Sequence, residues 1–238
     1  MSATAARRPT KRRLPPGARA RALEVVERLK REYPDAQTAL VHRNPFELLV
    51  ATILSAQTTD EQVNKVTPAL FARFPTAADL AGASQEAVEE VIRPTGFFHT
   101  KARAIREMSQ DLVRLHGGDV PPRMEDLVQL RGVGRKTANV VLGVAFGVPG
   151  FPVDTHVARV VRRLRLTTAT DPVKIETDVC SIVPPEEWTG LSLRLILHGR
   201  RICHAKRPLC AQCVLVDICP SAHLFLGVAA PRSRGARG

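Results

Sequence analysis

The sequence predicts an all-α protein, and three observations carry that reading. Apolar residues recur at three- and four-residue spacing in segment after segment. Capping residues and prolines stand where those segments would begin, and no stretch reads convincingly as a strand. There is no internal repeat.

The elements follow in chain order. From Ala18 to Tyr33, Ala22, Val26, Leu29 and Tyr33 fall on one helical face, with Glu24/Arg28 and Glu27/Arg31 as i,i+4 pairs opposite; Pro34 ends the segment. In NPFELLVATILSAQ, Asn44 is a good N-cap, Pro45 suits the first helical position and Glu47 stands where a capping-box acid belongs. Leu48 to Leu54 is apolar nearly all round, which predicts a central, buried helix. Shorter helices are expected to start near Asp60, at Thr67-Pro68 and at Ser84. A long one covers about 100–115 and stops at Gly117-Gly118. MEDLVQL and RKTANVVLGVAFG read as two helices separated by glycines. PVDTHVARVVRRL reads as a further helix capped by Asp154 or Thr155, and two more fill 171–182 and 187–202.

The 238 residues suffice for one large or two small domains, and 44% hydrophobic content for a real core. No apolar run reaches the roughly 18–20 residues that span a bilayer, so no membrane role is expected. The formal net charge of +12 is uneven. Arg7, Arg8, Lys11, Arg12 and Arg13 lie in an acid-free segment 1–17, and Arg232, Arg234 and Arg237 in an acid-free segment 227–238. Removing those eight cations leaves a body of +4. Both ends are rich in Ala, Pro, Gly and Ser and read as disordered tails with a diffuse attraction to nucleic acid. The N-terminal one also fits an organelle transit peptide, as an alternative to a bacterial cytoplasmic protein.

The stretch RGVGRKTANVV (131–141) allows several chemistries. A nucleotide-binding P-loop fails on spacing, because Arg135 separates Gly134 from Lys136, and on context, because a helix rather than a strand precedes it. What remains is helix, glycine turn, helix, whose free N–H groups at the second helix start can hold a phosphate without reading sequence. An ordinary helix connection has the same spacing. Lys136 would lie in the first helical turn, where a cation opposes the macrodipole. It is either a phosphate contact or, as a neutral amine, a nucleophile toward a sugar or carbonyl carbon.

Four of the five cysteines stand within 203–219 in the pattern C-x6-C-x2-C-x5-C. Cys203, Cys210, Cys213 and Cys219 read as a tetrathiolate site; the spacing favours iron–sulfur over zinc and leaves both open. Cys180 stands apart and reads as a buried apolar thiol. The first gap carries His204, Lys206 and Arg207, either cations displayed to phosphates or a solvated run.

LRGVGRKTANVVLGVAF followed by PVDTHVARVVRRL, with this cysteine spacing, resembles the helix-hairpin-helix DNA glycosylases of the endonuclease III type over about 18–222. The resemblance implies two helical domains with the active site in the cleft between them. One is a six-helix barrel-type domain, 38–148, with the hairpin at 123–146. The other is an iron–sulfur domain, 18–37 plus 149–222, flanked by tails 1–17 and 223–238. It implies that Lys136 is the nucleophile and Asp154 the essential carboxylate. It also implies that the four cysteines bind a 4Fe-4S cluster and that Gly132, Val133, Gly134 and Arg135 grip the DNA backbone, helped by Lys206 and Arg207. Gln57 and Phe97 match the residues that fill the gap left by an extruded base, with His99 alongside.

Three positions depart from the family pattern. Arg131 replaces a usual Pro, which would change hairpin rigidity or add a phosphate contact. Phe97 replaces a usual Leu, and Phe98-His99 stand where more polar residues are common. The implied activity is base-excision repair: removal of oxidised or ring-saturated pyrimidines of the thymine glycol type from damaged double-stranded DNA. Strand cleavage would follow by β-elimination, in a monomer. Uracil, mismatched thymine or a pyrimidine dimer are alternative lesions. A non-catalytic iron–sulfur DNA-binding or redox protein is an alternative class, against which the Lys136–Asp154 pair argues.

Overall fold

A computed structural model describes residues 13–227, and helices are the only regular secondary structure among them. The helices are α1 (Ala18–Glu32), α2 (Pro45–Leu54), α3 (Asp60–Arg73), α4 (Ala77–Gly82), α5 (Gln85–Ile92), α6 (Phe98–His116), α7 (Met124–Leu127), α8 (Arg135–Ala145), α9 (Thr155–Arg163), α10 (Pro172–Cys180), α11 (Trp188–Arg201) and α12 (His223–Leu226). Short 3-10 turns at Arg93–Thr95, Pro185–Glu187 and Cys210–Gln212 join them. None of the described helices is long and apolar enough to cross a membrane.

Apolar burial divides into two packing bodies. The first runs from Leu40 to Leu142 and is built on α2, whose Phe46, Leu48, Leu49, Val50, Ala51, Ile53 and Leu54 are all buried, as its all-round apolar sequence requires. The second joins α1 to Phe151 and the helices beyond it, with Ala22, Val25 and Leu29 packed among Val157, Val160, Leu191 and Leu195. The chain's first helix thus pairs with its last third. α4 and α5 pack on α6, α2 on α8, and α11 on both α1 and α9.

Local chemistry sets the helix ends. Asn44, Thr59, Thr76, Ser84, Asp154 and Asp171 each accept a backbone N–H from the first turn of the helix they precede. α6 ends where Gly117 turns left-handed (φ +63°) and the Gly118 N–H reaches the Leu112 carbonyl at 3.0 Å.

Several expectations change. No helix starts at Thr67-Pro68: α3 runs through Pro68 to Arg73, and the next helix waits for the Thr76 cap. An interior proline costs about 3 kcal/mol. Here the buried Val63, Val66, Thr67, Leu70 and Phe71 on both sides of it hold the helix together. The Glu47 carboxylate reaches the Arg43 N–H at 2.7 Å rather than the N-cap N–H, while the Arg43 guanidinium covers its other oxygen. MEDLVQL contributes only one helical turn.

The tails are shorter than the sequence suggested. Leu14 packs on the second body and Gly17 caps α1 in a left-handed conformation. His223–Leu226 forms α12, where the Phe225 ring lies 4.7 Å below the Arg163 guanidinium. The disorder expected of 1–12 and 228–238 lies outside the described residues.

Candidate active site and DNA interface

The glycines of the hairpin do different work. Gly132 is left-handed (φ +79°) and presses on α6, where a Cβ would stand 3.3 Å from Ala104 Cβ. Gly134 is extended, and a Cβ on it would meet nothing within 4 Å. The first is therefore needed for the turn and its packing. The second faces open space at the start of α8, where a partner's backbone could approach. No side chain caps α8 and no acid occupies its first turn, so its N-terminal N–H groups are left for an anion. Between them Val133 is buried and its N–H is spent on the Leu130 carbonyl at 3.1 Å.

The hairpin's arginines are committed within the protein. Arg131 donates to Asp111 in α6 through its backbone N–H (3.0 Å), Nε (2.9 Å) and Nη2 (3.1 Å), and also reaches the Glu107 carbonyl and Gln110. Asp111 is 2% exposed, and the Arg131 guanidinium beside it holds its carboxyl well below the usual carboxylate range. Of the two consequences expected of an arginine here, the structure takes rigidity: the fork fastens the hairpin to α6. Arg135 turns away from Lys136 to Glu176 in α10, at 2.9 and 2.7 Å, and ties the two packing bodies together. Its charge is thereby balanced locally.

Lys136, in the first turn of α8, is exposed, and Asp154, at the N-terminus of α9, is half-buried. Both line one cleft of about 780 Å³ whose walls come from both bodies. Of the two caps considered for α9, Asp154 is the one used: its Oδ1 accepts the Val157 N–H at 2.7 Å. That bond fixes the carboxylate at the cleft wall and leaves Oδ2 outside any described hydrogen bond. Gln57, Thr52, Asp60 and Arg200 line the same cleft, and Arg200 reaches Asp60 at 2.8 Å across the two bodies.

Gln57 and Phe97 share an unusual property. Among the described residues only three non-glycines are left-handed, and these are two of them, at φ +53° and +48°. Each such residue costs about 1–2 kcal/mol relative to ordinary helix or strand geometry. Phe97 directs its ring outward at 67% exposure, after Gly96 at φ +66°. Phe98 is packed on the first core under the Arg93 guanidinium, 5.2 Å away. His99 is held by Glu89 (Nδ1 to Oε2, 2.8 Å) and lies against the Phe98 ring. It sits beside the protruding Phe97 with its Nδ1 already engaged.

The four clustered cysteines line one small apolar cavity of about 20 Å³ that shares no lining residue with the cleft. Among the described residues no three potential ligands converge as they would around a single metal ion. The chemistry of the donor set nevertheless suits a thiolate-bound group. Arg163 Nη1 stands 3.2 Å from Cys203 Sγ, the Leu215 N–H points at Cys213 Sγ from 3.4 Å, and His198 Nε2 lies 3.4 Å from the same sulfur. Donors of this kind stabilise anionic sulfur. Burial, added to by the neighbouring thiols, pushes Cys213 up to about 11 and raises Cys210 and Cys219, a cost that metal binding would remove. Lys206 and Arg207 project from the loop between Cys203 and Cys210, exposed and unpaired with any described carboxylate. Cys180, at the end of α10, is half-buried rather than fully so, and burial pushes its thiol up to about 12.

Sequence reasoning missed Asp111, Glu176, the Asp60–Arg200 pair and Lys101. For Lys101 a signal was present: 101, 105, 108 and 112 trace one face of α6, so a lysine opens a stripe otherwise filled by Ile105, Met108 and Leu112.

A family model described as HhH-GPD superfamily base excision DNA repair protein matches residues 50–185, and the chain belongs to that superfamily. Within it the chain is of the endonuclease III type. It is 52% identical over 203 residues to endonuclease III of Synechocystis sp., covering 85% of this chain and 93% of that protein. To endonuclease III of Escherichia coli K12 it is 40% identical over 201 residues, 84% and 95% of the two chains. Among solved structures, a non-covalent endonuclease III–DNA complex superposes with a TM-score of 0.84 at 41% identity, over 88% of this chain and 99% of that one. A trapped endonuclease III–DNA covalent intermediate gives 0.83 at 42%, over 87% and 97%.

Proposed function

We propose that this chain excises ring-saturated and oxidised pyrimidines, thymine glycol among them, from double-stranded DNA, with Lys136 as nucleophile and Asp154 as its carboxylate. The chain is a base-excision DNA glycosylase with lyase activity. The observation that supports the residue assignment is the meeting of Lys136 and Asp154, each from the start of a different helix, at the wall of one cleft.

The chemistry follows from what each side chain can supply. As the N-glycosidic bond breaks, the base leaves with the bonding pair and positive charge grows on the deoxyribose, where the Asp154 carboxylate opposes it. The neutral Lys136 amine forms a bond to C1′, the ring oxygen departs from C1′ and takes up a proton, and the open sugar becomes a Schiff base. Loss of a C2′ proton then expels the 3′ phosphate. Water finally releases Lys136. In this reading Asp154 also takes the proton that Lys136 must lose.

DNA is held by the α8 N-terminus and the open face at Gly134, with Lys206 and Arg207 as further phosphate contacts. Gln57 and Phe97 enter the space vacated by the extruded nucleotide, with His99 beside them. Cys203, Cys210, Cys213 and Cys219 hold a 4Fe-4S cluster, a reading supported by their shared cavity and N–H···S donors. When bound, the cluster would supply an iron–sulfur cross-link to the loop that carries the four cysteines. We read two domains, 38–148 and 18–37 plus 149–222, a division supported by the two packing bodies. We read the protein as monomeric and, from its bacterial relatives and its DNA substrate, as acting with the nucleoid in the cytoplasm.

Borohydride reduction with duplex DNA containing thymine glycol or an abasic site tests the assignment. A covalent adduct is expected with the native protein and none with Lys136→Gln, which should still bind. Undiminished trapping in that variant would remove Lys136 from the mechanism.

A further inference from the structure

Lys101, in the first turn of α6, is 5% exposed, although lysine is among the residues least tolerant of burial. Its described partners are not acids. Nζ donates to Thr58 Oγ1 at 2.5 Å and to the Thr95 carbonyl at 2.8 Å. The Thr58 hydroxyl in turn donates to that same carbonyl at 2.5 Å. Burial alone lowers the amine's pKa, with no carboxylate raising it. A buried cation held only by a hydroxyl and a carbonyl is an expensive way to close a loop, and an apolar side chain could fill the same space.

The position of the contact suggests what it is for. Thr58 follows Gln57, and Thr95 stands two residues before Phe97. Both neighbours are held left-handed, and each projects from its loop into solvent. The two loops come from different helix junctions, α2–α3 and α5–α6, separated by 37 residues between Thr58 and Thr95. The Lys101–Thr58–Thr95 triangle is where they are joined.

We propose that Lys101 is a positioning residue for nucleotide extrusion, its ammonium stapling the loop of Gln57 to the loop of Phe97 so that both enter the duplex as one rigid unit. This rests on the wedge role assigned above to Gln57 and Phe97. Pre-organising two strained intruding residues lowers the conformational cost at the moment the base leaves the stack. A residue of this kind does not touch the sugar or the base. It matters in proportion to how much help extrusion needs.

That dependence gives a test which a merely structural lysine would not pass. Lys101→Met keeps the unbranched stem and removes the donors. The Thr95 carbonyl retains the Thr58 hydroxyl, so the melting temperature is expected to hold or rise. Glycosylase kcat/KM is measured on thymine glycol paired with adenine and on the same lesion in a single-nucleotide bulge, where little pairing opposes extrusion. The paired-to-bulged ratio is expected to fall about tenfold in Lys101→Met, the loss of roughly one hydrogen bond's worth of positioning. Thr58→Val, which removes only the bridging hydroxyl, is expected to shift the ratio the same way and decides the matter if Lys101→Met does not fold. A ratio within about twofold of the native one, whatever happens to the absolute rates, would overturn the proposal. Borohydride trapping on a preformed abasic site separates the two readings. If the native protein traps and the ratio is unchanged, only the staple falls. If the native protein does not trap, the Lys136 chemistry falls instead.

Discussion

Two lysines stand in the first turns of two helices and meet opposite surroundings. Lys136 opens α8 behind an extended glycine with nothing near it, exposed at the wall of a cleft lined by Asp154. Lys101, near the start of α6, is buried and bound to a hydroxyl and a carbonyl. Both begin as an amine near the positive end of a helix. Those surroundings suit Lys136 to the reagent role proposed for it and Lys101 to the proposed fastening, because only an accessible amine can reach a sugar and only a buried one can hold two loops in register. The same contrast separates the arginines of the hairpin from its lysine: Arg131 and Arg135 are taken up by Asp111 and Glu176, which leaves Lys136 as the hairpin's uncommitted cation.

The largest expected effect breaks the contrast at its reactive end. Asp154→Asn should lower glycosylase turnover by about 10²–10⁴-fold, measured in single-turnover assays. Asparagine caps helices as well as aspartate, so stability should change little, whereas Asp154→Ala should also cost about 1 kcal/mol in denaturant unfolding. An Asn variant with native turnover would make Asp154 a cap and nothing more.

The two glycines sharpen the comparison at the next level. Gly132→Ala should destabilise by about 1–2 kcal/mol, because it forces a left-handed alanine against Ala104. Gly134→Ala should leave the melting temperature unchanged and weaken duplex binding, read by fluorescence anisotropy. Equal effects at both positions would contradict the division of labour between turn and phosphate contact.

Asp111→Asn should lower the melting temperature by about 2–4 °C while leaving the salt dependence of DNA binding unchanged, since Arg131 is a structural tie. The sign of the pH effect follows from the depressed carboxyl. The stabilisation by Asp111 is complete above the ordinary carboxylate range and is lost as pH falls through and below it. Acid unfolding of the native protein should therefore be steeper than that of Asp111→Asn. Smallest of all, Lys206→Ala or Arg207→Ala should each reduce the slope of log K against log salt by about 1 with the chemical step intact.

Much of the fold was legible because helix starts are local chemistry. The Asn44 cap with Pro45, the helix starts near Asp60 and at Ser84, and a cap at Asp154 or Thr155 are all local signals, and Asn44, Thr59, Ser84 and Asp154 are the caps observed. Thr67-Pro68 misled for the same local reason: proline at a first turn and proline inside a helix look alike until the packing on both sides is known. Lys136, Asp154 and the cysteines could be singled out as candidates because their spacing along the chain is itself a motif. Asp111, Glu176 and Lys101 were not, since their meaning lies in partners 20, 41 and 43 residues away.

By itself the sequence determined an all-helical chain, the hairpin with its lysine and the cysteine spacing, since each depends on residues that are neighbours along the backbone. Only the tertiary structure decided that Arg131 braces, that Arg135 bridges, and that Gln57 and Phe97 share a left-handed backbone joined through Lys101. Those outcomes depend on which side chains burial brings together, and no local spacing encodes that.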